Sequence, residues 1–150
     1  MFLGSIYSGT FERLKRLFEE VKSNGYKIVG PKLDSLAIRL EELTSFEDIP
    51  YGYGDEQAPG YYRVIRDGGD FRNGPDSPKR YLYPPELLLF VVRPDWSIEH
   101  PAYEVCSLAF FGIKPCDLAA IKIMDQVQGT LGDQYYLKQR EKTLIIVENC

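Results

Sequence analysis

Two apolar runs in the last third of the chain most constrain its fold. Val105–Phe111 and Thr143–Glu148 are dominated by Leu, Ile, Val and Phe, without the strict alternation of a strand that shows one face to water. Between them lie two helical stretches. Pro115-Cys116-Asp117 opens the first, which carries Leu118, Ile121, Ile123 and Met124 on to about Gln126. Asp133 is placed to cap a second, shorter one carrying Tyr135, Tyr136 and Arg140. Strand, helix, helix, strand is the pattern of a right-handed parallel crossover, and strands apolar on both faces fit a sheet covered on both sides. The expected class is α/β: a mixed, partly parallel sheet with packed helices and a C-terminal β-α-α-β crossover.

The N-terminal half extends this sheet. Phe11, Leu14, Leu17, Phe18 and Val21 recur at helical spacing behind Thr10, so a helix is expected from about Phe11 to Asn24, stopped at Gly25. Tyr26–Val29 reads as a short strand ended by Gly30-Pro31. Leu36, Ile38 and Leu40 alternate with Ala37, Arg39 and Glu41, the period of a half-buried strand and of a hairpin with the strand before it. Residues 44–80 are rich in turns: Ile49-Pro50, Ala58-Pro59-Gly60, Gly68-Gly69 and Asn73-Gly74-Pro75, with Tyr61–Arg66 as the one strand among them. Such a segment serves as a lid or partner surface, or as a solvated excursion between sheet segments. Leu87–Arg93, after Pro84-Pro85, reads as a further buried strand. A chain of 150 residues is enough for one domain, or at most a domain with a small appendage, and residues 1–150 are read as a single α/β unit.

Charge and composition narrow the function. Eighteen basic against 22 acidic residues leave a net charge of −4, which argues against sequence-independent binding of nucleic acid through a basic face. The longest apolar runs, Leu87–Val92 and Leu108–Phe111, fall far short of the ~20 residues that span a bilayer, so no membrane span is expected. The opening residues lack the basic flank and continuous apolar core of a secretory signal. The expected compartment is the cytoplasm, with reduced thiols. The 11 Tyr and 8 Phe are spread along the chain and read first as packing.

The chemistry gathers at the cysteines. Cys116 follows the end of the Val105–Phe111 strand at the start of a helix, and Cys150 follows the end of Thr143–Glu148. If those strands run parallel, both thiols belong to one edge of the sheet, and neighbouring strands are only about 4.8 Å apart. That edge is where open α/β sheets take ligands, and free N–H groups at a helix start favour a thiolate. Two readings stay open for Cys116 and Cys150: ligand or redox thiol, and inert small hydrophobe. Cys106, inside the predicted strand, is assigned to the core. No C-x-x-C is present, which argues against a self-contained zinc site. His100 is the single histidine and has no marked partner, and the glycines form neither a dinucleotide nor a phosphate loop. Lys79-Arg80 suits an anion or an acidic partner, or else a solvated strand end. Tyr135-Tyr136 can stack a flat cofactor, or pack in the core.

Four stretches resemble a known family in order. Phe111-Gly-Ile-Lys-Pro-Cys-Asp-Leu-Ala-Ala-Ile resembles G-(V/I)-(R/K)-P-C-D-L-x-A-I. Ser77-Pro-Lys-Arg-Tyr-Leu-Tyr-Pro-Pro-Glu resembles S-x-K-x-(F/Y)-(L/F)-(F/Y)-P-P. Asp133-Gln-Tyr-Tyr-Leu-Lys-Gln-Arg resembles D-x-Y-Y-x-x-R-R, and Leu144-Ile-Ile-Val-Glu-Asn-Cys resembles a strand ending in N-C. The patterns they resemble are those of iron–sulfur electron-transfer subunits: the beta subunit of cytoplasmic nickel–iron sulfhydrogenases and the A subunit of anaerobic sulfite reductase. The resemblance runs from about Tyr26 to Cys150.

The resemblance implies the N-terminal part of a longer iron–sulfur subunit, followed in the family by a C-F-C group and a ferredoxin-like segment. It implies a role in passing electrons between a catalytic subunit and a flavin or ferredoxin partner, with no substrate bond broken by this domain. Cys116 and Cys150 match the P-C-D and N-C cysteines; from that match a 4Fe–4S cluster held by these two and the C-F-C cysteines is inferred, with Asp117 as a helix-start residue beside them. A cubane cluster takes four ligands, and this chain supplies two candidates. Lys79 and Arg80 remain as partner or anion contacts. The rival expectations are a cofactor-free assembly module that docks a catalytic subunit, and a reversible Cys116–Cys150 disulfide.

Overall fold

The computed structural model describes residues 9–67, 71, 74, 76–101 and 104–148. Helix α1 (Phe11–Ser23) leads into strands β1 (Lys27–Asp34) and β2 (Ala37–Glu42), a 3₁₀ turn (Phe46–Asp48), and strands β3 (Tyr53–Ala58) and β4 (Tyr61–Arg66). A short helix α2 (Lys79–Leu82) and the two-residue strands β5 (Val91–Val92) and β6 (Ile98–Glu99) follow. The chain closes with β7 (Leu108–Ile113), α3 (Pro115–Leu131), α4 (Gln134–Glu141) and β8 (Thr143–Val147). The main sheet has the order β2-β1-β7-β8. β1 pairs antiparallel with β2 and parallel with β7, and β7 pairs parallel with β8. The protein is therefore α/β with a mixed sheet, and β7-α3-α4-β8 links two neighbouring parallel strands.

Both faces of this sheet are covered, which is why its inner strands carry no polar alternation. One face holds Phe18 and Val21 of α1 against Ile28, Ala109 and Phe111. The other holds Leu82 of α2, Ile121 of α3 and Tyr136 of α4 against Val29, Leu108, Phe110 and Ile113. Successive residues of β7 point to opposite faces until Gly112. There the register with β8 jumps from Phe111↔Ile146 to Ile113↔Val147, so Gly112 is an extra residue on β7. Its φ of +75° suits glycine, and the bulge turns Ile113 to the same face as Phe110.

Three expectations are corrected. β1 does not end at Gly30-Pro31 but runs to Asp34. Its ladder pairing with β7 stops at Val29↔Phe110, so Pro31 lies beyond the parallel register and no parallel ladder bond needs its missing N–H. Leu87–Arg93 is not a buried strand. Leu88, Leu89 and Phe90 are each more than half exposed, and only Val91–Val92 pair, in a ribbon apart from the main sheet. Tyr53–Ala58 is an additional strand: Pro59 and Gly60 (φ +71°) make the tight turn that folds it against β4.

The edge strand β2 is capped by neighbours rather than left open. The Tyr62 hydroxyl accepts from the Ile38 N–H at 3.0 Å, and the Leu40 carbonyl accepts from Tyr81 Oη (2.9 Å) and Arg80 Nη2 (2.8 Å). Beyond β2, Asp48 fixes the 3₁₀ turn that drives Phe46 into the core. Its Oδ2 accepts from Thr44 N–H, Thr44 Oγ1 and Ser45 N–H at 2.8, 2.9 and 3.1 Å, with Lys32 Nζ at 3.3 Å. Burial opposes ionisation of this carboxyl, but the bonds from Thr44, Ser45 and Lys32 outweigh it and bring it down to about 2. A carboxyl whose folded pKa is depressed stabilises the fold above its unfolded pKa and stops doing so as pH falls through the folded one. Asp48→Asn is expected to cost about 2 kcal/mol near neutral pH and progressively less between about pH 4 and pH 2. Urea unfolding of both proteins across that window reads the difference.

Candidate functional site at the edge of the parallel strands

The site is built where β7 and β8 end. After the Gly112 bulge, Ile113 completes β7 and Lys114 becomes the N-cap of α3. Pro115 takes the first helical position, where its missing N–H is not needed by the helix. Cys116 and Asp117 therefore occupy the first turn. Asp117 Oδ2 accepts from the Lys114 N–H at 3.3 Å, so Asp117 is the helix-start residue that the sequence suggests. Cys116 is exposed.

Lys114 ties the two strand ends together. Its side chain is only 8% exposed, and its Nζ lies 3.0 Å from Glu148 Oε2, just past the end of β8. The Glu148 N–H also donates to the Ile113 carbonyl at 2.9 Å. The Lys114 ammonium sits 4.5 Å from the centre of the Phe71 ring, a cation–π contact that replaces part of its lost hydration. Cys116 follows Lys114 by two residues, and Cys150 follows Glu148 by two. The expectation that both strands end at one edge holds. Cys150 lies outside the described residues.

Cys106 departs from its expected place. β7 begins at Leu108, so Cys106 precedes the strand, and it is an exposed free thiol rather than a core residue. Buried Gln139 of α4 holds its backbone, accepting from the Cys106 N–H at 3.3 Å and donating to its carbonyl at 3.0 Å. It belongs to the opposite end of β7, roughly 20 Å from the Cys116 edge at about 3.3 Å per residue.

Lys79 and Arg80 lie on α2, not at a strand end. Arg80 is engaged inside the molecule: besides Leu40, its Nη1 donates to Asp76 Oδ1 at 3.2 Å. Arg39 grips the same carboxylate with both Nε and Nη2, at 2.9 and 3.2 Å, and that bond holds the Asp76 carboxyl below the usual range. Lys79 lines an open surface depression with Tyr83, Pro84 and Pro85. Tyr136 is fully buried, and its hydroxyl donates to Asp125 at 2.6 Å, while Arg140 Nε holds the same carboxylate. It locks α4 to α3 and is core. His100 is exposed beside the Leu89 carbonyl.

Lys114 and Glu148 are the site residues that sequence reasoning missed. Their one sequence signal is position, each being the first charged residue after a long apolar strand. Among the described residues, no group of three or more His, Cys, Asp or Glu side chains is placed to hold a metal ion. Comparison with protein-family models, curated proteins and solved structures finds no match. No helix among the described residues is long and apolar enough to cross a membrane.

Proposed function

We propose that this domain is the N-terminal part of an electron-transfer subunit in a cytoplasmic redox complex of hydrogenase or sulfite reductase type, and that Cys116 and Cys150 ligate an iron–sulfur cluster. One observation carries the reading: β7 and β8 are parallel neighbours whose ends are joined by Lys114 and Glu148, each two residues before one of these cysteines. The resemblance of the P-C-D and N-C segments supplies the chemistry.

The donor set fits such a cluster in kind and only partly in number. Thiolates are its usual ligands, and an exposed Cys116 can reach a group that is also held from outside this domain. Cys106 sits at the wrong end of β7, so further ligands come from other segments or subunits. When bound, the cluster supplies one-electron transfer. The protein's own part is to fix the two strand ends through the Lys114–Glu148 pair.

Iron and acid-labile sulfide per chain, after anaerobic reconstitution, test this. The set is wild type and Cys116→Ser, each as residues 1–150 and as a longer chain carrying the further cysteine segments that the resemblance implies. The expected result is cluster in the longer wild type, reduced at least severalfold in Cys116→Ser. Folded protein without iron in every form removes the cluster.

The second reading, a cofactor-free assembly module, is favoured by exposed apolar side chains. Leu88, Leu89, Phe90, Val92, Trp96 and Ile98 are all at least half exposed on and beside the β5–β6 ribbon. It predicts that alanine at Cys116 and Cys150 together leaves subunit binding unchanged. A reversible Cys116–Cys150 disulfide requires Cα atoms about 4.4–6.8 Å apart, and only one of the two residues is described.

A further inference from the structure

A cleft of about 260 Å³ opens beside the ends of β7 and β8, on the face that α1 covers. Its floor is Phe111 and Ile146, and its walls are Tyr51 and Tyr53 from the segment that enters β3. The Gly112 bulge brings bare backbone to its surface, and Glu148 stands at its rim. A cavity of about 150 Å³ lined by apolar side chains accommodates benzene, so this one has room for one or two fused rings. It lies at the strand edge where open α/β sheets take ligands.

The lining is one-sided in charge. Glu148 is the single Asp, Glu, Lys, Arg or His among the described residues that line the cleft. Its Oε2 is held by Lys114, which lines the neighbouring, narrower cleft on the other side of Gly112 and Phe71. Burial, and after it the Glu148 charge, push the Tyr51 hydroxyl up.

We infer that this cleft is a binding site for a small planar aromatic molecule carrying a cationic amine, with the ring between Tyr51, Tyr53 and Phe111 and the amine at Glu148. Aromatic walls give contact area to a flat ring, and the carboxylate at the rim discriminates between substituents of opposite sign. An anionic substituent on the same ring meets Glu148 as a like charge. The inference stands independently of any cluster at Cys116, because the cleft is formed by groups that carry no thiol.

The test is titration of residues 1–150 with tryptamine, its neutral analogue ethylindole and its acid analogue indolepropionate, followed by amide chemical shifts in nitrogen–proton NMR spectra. Expected is saturable binding of tryptamine at about 1 mM or tighter, with shifts concentrated at Gly52, Gly112 and Glu148. Tryptamine is expected to bind at least about tenfold tighter than indolepropionate. Leu14→Trp, a change at the exposed rim on α1, fills the cleft and is expected to abolish binding while the remaining spectrum stays folded. Glu148→Gln is expected to keep ring binding and erase the preference for the amine. Equal affinity for the three probes, or no saturation by tryptamine, or unchanged binding in folded Leu14→Trp, overturns the assignment.

Discussion

Phe18→Ala is expected to lower the free energy of unfolding by about 3–5 kcal/mol. Phe18 is fully buried where α1 crosses the sheet, and its ring meets Phe46 and Phe111 edge-on at 5.7 and 5.4 Å. Those two rings come from the 3₁₀ turn and from the middle of β7, so two separate elements lose the partner that joins them to α1. The backbone around them is tied down by the β1–β7 and β7–β8 ladders and by the Asp48 bonds, which restricts collapse into the space left. Total stabilities of such domains are about 5–15 kcal/mol, so the loss is a large part of the whole. The midpoint of thermal unfolding should fall by about 10 °C or more. Leu17→Ala is the contrast: Leu17 is the preceding residue and is 43% exposed, and its loss is expected to cost about 1 kcal/mol or less. Equal effects at the two positions would mean that α1 does not pack as described.

The parts of the fold that were legible in the sequence are those where burial imposes a pattern. β7 is buried from both sides and reads as a continuous apolar run, β8 at the sheet edge is half-buried and apolar too, and α1 has Phe18 and Val21 at helical spacing behind Thr10. β3 left no such trace. Tyr53-Gly-Asp-Glu-Gln-Ala is a strand because Pro59-Gly60 folds it onto β4, and ladder bonds do not require apolar side chains. Leu87–Arg93 shows the reverse failure, since composition reports apolarity and not location. The places beside β1 and β7 are taken by other strands, and the run ends up mostly exposed. At the candidate site, the strand-then-thiol order was legible, whereas the Lys114–Glu148 pair joins residues distant in sequence and depends on the register of β7 with β8. Phe46 carries no periodic signal for a related reason. Its segment reads as loop, and the Ser45 and Asp48 bonds that turn it inward are local polar contacts that hydrophobic periodicity does not register.

Two additions of the same methyl group, expected to act with opposite sign, show how closely β1 and β7 approach. At Gly30, a Cβ would fall inside the contact distance of the Phe111 carbonyl oxygen and lie 2.8 Å from Leu43 Cδ1. Both neighbours are fixed: Phe111 is paired with Ile146 in the centre of the sheet, and Leu43 is buried, with its N–H on the Ile28 carbonyl at 2.9 Å. Relief requires β1 to move away from β7, at the point where their pairing ends and the Gly112 bulge begins. Gly30→Ala is therefore expected to destabilise by about 3 kcal/mol, the upper part of the range for overpacking, because backbone rather than a side-chain tip must give way. At Gly129, an exposed position inside α3, a Cβ meets nothing within 4 Å. Gly129→Ala should stabilise by about 0.5–1 kcal/mol, through helix propensity alone. Denaturant midpoints at unchanged slope give both numbers, and a neutral Gly30→Ala would contradict the close approach of the strands. The same displacement would shift the β7 end that carries Lys114 and Cys116. Gly30→Ala is thus expected to loosen the Lys114–Glu148 pair from a distance, seen as a change in the Glu148 amide shift, whereas Gly129→Ala leaves that signal in place.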